Sequence, residues 1–299
     1  MKKQTLVSVV MITYNHEQHI KQAIESVLDQ KGQFTIELLV SDDCSPDNTE
    51  SIVKQIIKEH PAGSAIKYIK HNSNKGVVDN FYWTLSQCSG DFIAFCEGDD
   101  YWCYDRKIES QISFLQKNKN LILCGHNVFT LQNNVLHKSG SSYNLKIQFP
   151  EILKYNVFTT VSVVFRNDMR STFPSSLHEY KIGDWPLFVY ILTLGGGYII
   201  NQSWAVHRNE GKGVWTSLEQ EQILKENIVV LNKFKEQYNS YSYIVEKAID
   251  LIEKNPKIYE NPFQHLNLTL ESESVSFIQK IKTRLVRLFS LPYYLNNRK

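Results

Sequence analysis

Four short apolar runs limit what this 299-residue chain can fold into. Leu6 to Thr13, Ile36 to Val40, Ile66 to Ile69 and Asp91 to Cys96 are rich in β-branched and aromatic residues and too short for buried helices. A polar stretch follows each run, and then apolar residues return at helical spacing. These are Ile20, Ile24, Val27 and Leu28, then Ile52, Val53, Ile56 and Ile57, then Val78 to Ser86, and finally Ile108, Ile112 and Leu115. Leu121 to Gly125 reads as one more strand. Strands and helices that alternate over short connections predict a mostly parallel, Rossmann-like sheet with helices on both faces. The nearly unbroken apolar run of Leu6 to Thr13 fits a strand covered on both sides.

In open sheets of this kind, ligands sit outside the carboxyl ends of the strands. Three successive strand ends here are polar: Tyr14-Asn15 (just after Thr13), Asp42-Asp43 and Asp99-Asp100. The last belongs to Glu97-Gly98-Asp99-Asp100, three carboxylates in four positions. Such acids repel one another, and a hard divalent cation held by oxygen ligands relieves the repulsion. Gly98 is expected to let the backbone turn sharply so that the acids converge. The bland reading of the same residues is a solvated acidic turn, with Asp105 capping a helix that starts near Arg106. Neither G-x-G-x-x-G after the first strand nor G-x-x-x-x-G-K-[ST] occurs, so the two commonest phosphate-cradling loops are absent.

Composition narrows the class. With 42% hydrophobic and 21% charged residues, the chain is an ordinary globular protein, and a net charge of +2 argues against nucleic acid as its main partner. Residues 275–299 hold six cations (Lys280, Lys282, Arg284, Arg287, Arg298, Lys299) and no acid, which leaves the remainder acidic. Ile278, Ile281, Leu285, Leu288 and Phe289 share one side of a helical wheel there, opposite Lys280, Arg284 and Arg287. A helix lying on an anionic membrane and a helix docked on the protein body both fit that pattern. The five cysteines form no Cys-x-x-Cys pair, which suits reduced thiols in the cytoplasm. No apolar run approaches the ~20 residues of a membrane span. Residues 126–160 read as loops and short strands, Thr160 to Phe165 as a strand, and Pro174 to Gly183 as a loop. Asp184 opens a short helix to Leu194 that Gly195-Gly196-Gly197 ends. Tyr198 to Ile200 and Ala205 to His207 are expected as short strands, and the chain beyond Leu218 as helical.

Several segments together resemble a known family. VSVVMITYN followed by a helix and ELLVSDDCSPDNTE, then EGDDYW, then KIGDWPLF, are similar to the family 2 inverting glycosyltransferases of GT-A fold, over roughly residues 5–215. The resemblance implies a nucleotide-sugar-binding half (1–125), an acceptor-side half with the catalytic base (126–215) and a helical C-terminal extension (216–299). It implies that Thr13, Tyr14 and Asn15 line the nucleotide pocket, with Tyr14 against the base and Asp43 accepting from the ring N–H of uracil or thymine. Asp99 would touch ribose or metal, Asp100 would bind a Mn or Mg ion directly, Lys75 would lie near the donor phosphates, and Asp184 would be the base. WAVHRNEGKGVW departs from the family's usual Tyr-Arg-x-His, so a third metal ligand falls to His207, to Glu210 or to neither. The implied partners are a nucleotide-sugar donor and a glycan or lipid-linked acceptor, in the cytoplasm or at the inner face of the plasma membrane. A nucleotidylyltransferase, which needs a Gly-rich basic loop after the first strand, and a non-catalytic nucleotide-sugar binder are the competing functions.

Overall fold

The computed structural model describes residues 4–168, 173–209 and 219–254. The chain divides into two compact units, Met1–Asp250 and Leu251–Lys299, and the site described below lies in the first. Its first half runs β1 (Thr5–Thr13), α1 (Ile20–Leu28), β2 (Phe34–Asp42), α2 (Thr49–Glu59), β3 (Ile66–Lys70), α3 (Val77–Ser86) and β4 (Phe92–Phe95). There follow β5 (Tyr101–Trp102), α4 (Lys107–Lys117), β6 (Leu121–Gln132), β7 (Val135–Ser139), β8 (Leu145–Ile147), α5 (Phe149–Ile152), β9 (Val164–Arg166) and α6 (Asp184–Leu192). The described part ends with β10 (Gly196–Arg208), α7 (Gln220–Gln237) and α8 (Ser242–Lys254).

The strands form one sheet in the order β3-β2-β1-β4-β9-β6-β10-β5, with β7 beside β6 and β8 beside β10. The run β3-β2-β1-β4 is wholly parallel. Beyond it the sheet is mixed: β9 lies antiparallel between β4 and β6, β10 is parallel to β6, and β5 is antiparallel to β10. Helices cover both faces, as the alternation predicts. On one, α1, α2 and α4 bury Ile24, Val27, Val53, Ile56, Ile108, Ile112 and Leu115 in one cluster with Val7, Val9, Met11, Leu38 and Val40. On the other, Phe81 of α3 stacks on Phe95 at 5.2 Å, and Phe95 meets Phe188 of α6 at 6.3 Å. A fully buried side chain of this size contributes about 1.5–3 kcal/mol, so the two-sided cover dominates the stability of the unit.

The second half departs from the sequence expectation in four places. β6 runs on to Gln132 instead of ending at Gly125, because the buried Asn127 is satisfied by both the N–H and the carbonyl of Ser141. The two short strands expected near 198–207 are one 13-residue strand, β10, which begins inside the glycine run. Its register slips between Ile200 and Ser203, and Asn201 at the slip bonds Asn127 and Ser142. A bulge of this sort breaks the two-residue period and hides the continuity. Thr160–Ser162 is a 3-10 turn rather than strand, and Ser175–Glu179 is a 3-10 helix within the expected loop. Residues 210–218 and the amphipathic tail at 275–299 lie outside the described residues.

α4 carries an oddity into the core. Lys107 is fully buried with its Nζ 4.2 Å from the Trp102 ring centroid, and that nitrogen has no hydrogen-bond partner among the described residues. Burial pulls its pKa down to about 7, against the opposing influence of Cys96 and Cys124. Between that value and the ~10.4 of an exposed lysine, the unfolded chain binds more protons than the folded one, so stability rises with pH. The slope from this one group reaches at most about 1.4 kcal/mol per pH unit. Lys107→Met is expected to flatten the rise. Urea denaturation at pH 7 and pH 9.5 should show a wild-type gain that the variant lacks.

Candidate active site

Two main-chain bonds at the end of β1 bring the acidic segments together. The Asp43 N–H donates to the Thr13 carbonyl at 2.9 Å, and on the other side the Gly98 N–H donates to Ile12 at 3.0 Å. Thr13, itself buried, is thus flanked by Asp42-Asp43 and by the Glu97–Asp100 turn. Asn15, just beyond, adopts a left-handed conformation at φ 60°, which asparagine tolerates, and its N–H donates to Ser45 Oγ. Tyr14 is among the most exposed large side chains, at 47%, and stands at the rim.

Asp42 and Asp43 have different tasks. Asp42 accepts from the Ser45 N–H and the Tyr68 hydroxyl and so braces the loop. Asp43 faces the next loop, where its two oxygens accept from the Lys75 and Gly76 N–H groups at 2.7 and 2.9 Å. Lys75 therefore enters the site through its main chain, while its ammonium lies 5.6 Å from the Trp83 ring centroid.

In the turn itself, ligand atoms of Glu97, Asp99 and Asp100 lie within 4.8 Å of one another. Asp100 is buried; its Oδ1 accepts from the Arg208 N–H at 2.8 Å, and its Oδ2 is buried with no partner among the described residues. Burial pushes the Asp100 pKa well up, reinforced by Asp99 and Glu97 and opposed by Arg208. Glu97 is likewise pushed up, first by burial and then by Asp99 and Asp184. Gly98 serves by closeness, not by turning: its φ is not in the left-handed region. A Cβ there would sit 2.6 Å from Thr13 Oγ1, 2.8 Å from Thr13 Cβ and 2.9 Å from His16 Nδ1.

Asp184 stands at the start of α6 and is half-buried. Its Oδ2 accepts from Asn156 at 2.8 Å and Thr160 at 3.2 Å, and its Oδ1 from the Trp185 N–H at 2.7 Å. Burial raises its pKa, and those three bonds hold the rise back. Tyr82 of α3 donates to the Gly183 carbonyl at 2.6 Å and ties the helix start to the first half of the chain. The influence of Asp184 on Glu97 places both carboxylates in one electrostatic neighbourhood.

His207 lies outside the acidic trio, although Asp99 acts on it, and burial lowers its pKa so that the neutral ring is favoured. Glu210 is outside the described residues. Asn156 falls in the stretch that reads as loops and short strands and Thr160 at the start of an expected strand, so nothing local marks either as a partner of Asp184. Nothing in the sequence marks His16, whose Nε2 is 3.9 Å from Asp99, whereas Glu97 already stands there among the three carboxylates expected to meet a cation. The crowding of acids around Glu97 was the one signal that pointed to its membership of the trio.

The Glycosyl transferase family 2 profile matches residues 8–177. An uncharacterized protein of Mycobacterium tuberculosis is 29% identical over 219 residues, which cover 70% of this chain and 60% of that protein's length. The Escherichia coli UDP-Glc:alpha-D-GlcNAc-diphosphoundecaprenol beta-1,3-glucosyltransferase WfaP is 29% identical over 192 residues, 64% of this chain and 71% of that one. Among solved structures, residues 1–349 of S. aureus TarS in complex with UDP-GlcNAc superpose with a TM-score of 0.63 at 17% identity, over 83% of this chain and 73% of that one. This likeness shows the fold, the GT-A arrangement expected from the sequence.

The tight seat of Gly98 yields a direct check. Gly98→Ala forces Thr13 or the acidic turn to move and is expected to destabilise by about 1–3 kcal/mol. A lower urea midpoint at unchanged m-value would show it.

Proposed function

The chain belongs to glycosyl transferase family 2, and we propose that it moves a sugar from a UDP- or dTDP-sugar to a hydroxyl of a glycan or lipid-linked acceptor, with inversion. The observation that carries the reading is the buried Oδ2 of Asp100, without a partner among the described residues, beside two further carboxylates, one of which, Glu97, feels the charge of Asp184. A buried carboxylate oxygen without a donor is costly unless something positive meets it. An all-oxygen set suits a hard cation, Mn2+ or Mg2+. Asp100 and Asp99 would hold it, with Glu97 beside them and a third ligand from His207, from Glu210 or from neither. When bound, the ion supplies Lewis-acid stabilisation to the departing diphosphate.

The remaining roles fall to the chain's own residues. Residues 1–125 hold the nucleotide: Tyr14 covers the base from the rim, beside Thr13 and Asn15. Asp43, its two oxygens oriented by the Lys75 and Gly76 N–H groups, keeps a lone pair on each for a pyrimidine ring N–H. Cytosine offers an acceptor at that ring nitrogen and is disfavoured. Residues 126–215 serve the acceptor. Among the described residues Asp184 Oδ1 accepts only the Trp185 N–H, which leaves a second lone pair for an acceptor hydroxyl. As that hydroxyl oxygen bonds to the anomeric carbon, its proton passes to Asp184, and the bond from the carbon to the diphosphate oxygen breaks on the opposite face. Residues 216–299 stand outside this chemistry.

The name of the E. coli relative, with a UDP-Glc donor and a diphosphoundecaprenol-linked acceptor, supports a UDP-sugar and a lipid-linked acceptor here. Polysaccharide assembly at the inner face of the plasma membrane follows from such an acceptor, and the basic stretch 275–299 is proposed to meet anionic lipid there. Among the described residues no helix is long and apolar enough to cross a membrane.

A panel of nucleotide sugars, screened with Mn2+ by thermal shift and then by turnover, tests the proposal. Asp184→Asn is expected to lower turnover by about 10²–10⁴-fold while donor binding persists; full turnover in this variant would remove Asp184 from the mechanism. Only the carboxylate accepts a proton, so kcat should fall as pH drops through the pKa of Asp184, which burial raises from its ordinary value. A pH-rate profile of wild-type enzyme reads this directly.

A further inference from the structure

Arg208, at the last position of β10, touches three separate parts of the site. Its main-chain N–H donates to Asp100 Oδ1 at 2.8 Å. Its guanidinium donates to the main-chain carbonyl of Asp99 through one nitrogen and to Gln22 Oε1 of α1 through another. The same group lies 4.8 Å from the centroid of the Tyr101 ring, on the strand that pairs with β10 through Val206 and Tyr101. We propose that Arg208 is a positioning residue for the cation: a strut that fixes the Asp99-Asp100 turn in its ion-binding geometry before any ion or donor arrives. The inference rests on the cation reading given above.

The physical case begins with repulsion. Three carboxylates with ligand atoms inside 4.8 Å push each other apart whenever the ion is absent. The turn's own main chain offers little resistance, being held by Gly98 N–H to Ile12 and by a 3.1 Å bond from Asp100 N–H to Glu97. If the turn spread, an incoming ion would have to regather it, and the energy of doing so would be lost from its affinity. Arg208 prevents the spread from both ends. Its N–H takes Oδ1 of Asp100 and thereby leaves Oδ2 as the oxygen without a partner. Its guanidinium takes neutral carbonyl and amide oxygens, so its charge opposes the repulsion without occupying a carboxylate lone pair. Two acceptors on different elements suit the planar fork of arginine, and a lysine at this position would satisfy one of them at a time.

The test is Mn2+ titration of the full-length protein, followed by the paramagnetic resonance signal of the free ion, with metal-free thermal melting measured alongside. Arg208→Met keeps the main-chain bond to Asp100 and removes the guanidinium. It is expected to weaken Mn2+ binding about tenfold, the lower end of what loss of a ligand-orienting partner does, while the metal-free melting temperature moves by less than about 2 °C. Gln22→Ala, which removes the far anchor, should weaken binding in the same direction and by less. The double variant should be no weaker than Arg208→Met alone, because both act through one guanidinium. Wild-type affinity in Arg208→Met overturns the strut, as does a loss of metal-free stability with affinity unchanged. Should Arg208→Met fail to fold, Gln22→Ala decides, and unchanged affinity there overturns the proposal. Wild-type protein that takes up no Mn2+ removes the cation reading and the strut together, whereas wild-type binding matched by Arg208→Met removes the strut alone.

Discussion

The hydrogen bonds that β1 makes at its carboxyl end set the geometry of everything chemical in this protein. Ile12 and Thr13 offer their carbonyls to opposite neighbours, one to the Glu97–Asp100 turn and one to Asp43. Two acidic segments more than fifty residues apart in sequence are thereby brought to one edge of the sheet. Burial from the helices on either face then keeps water from dispersing their charge, and the pKa values of Glu97, Asp100 and Asp184 all rise for that reason first. A folded protein tolerates such a gathering of acids when a function draws on it.

The first half of the chain was legible because its elements are regular. β1 to β4 are short apolar runs and α1 to α4 follow the 3.6-residue period, and their observed ends fall within a few residues of the expected ones. Asp43 and the acidic turn were legible too, since a strand end is where parallel sheets place polar residues that bind. The second half resisted for physical reasons. Asn127 and Asn201 are polar residues inside the sheet that satisfy each other, and the resulting strands do not read as strands. Thr160 gives up a strand conformation in a turn that points its hydroxyl at Asp184.

Side-chain partnership was the least legible layer. The sequence marks Asp184 through its resemblance, but nothing in it foretells that Asn156, 28 residues earlier, donates to the same carboxylate. Nor does it foretell that Lys75 would turn its ammonium to Trp83 and leave its amide to grip Asp43. Gly98 was expected for its freedom to turn, and what matters there is the absence of a side chain against Thr13. Such pairings depend on which loops meet in space, and no local pattern encodes them.

β10 begins four residues after α6 ends, and the two together run from Asp184 to Arg208. The residue proposed to receive the proton and the residue that touches the acidic turn thus lie at the two ends of one uninterrupted length of chain. Anyone who transplants acceptor-side loops between relatives should treat that length as a cassette. A junction placed inside it would join a base from one parent to a turn-holder from another, and the spacing between them would no longer be inherited from either.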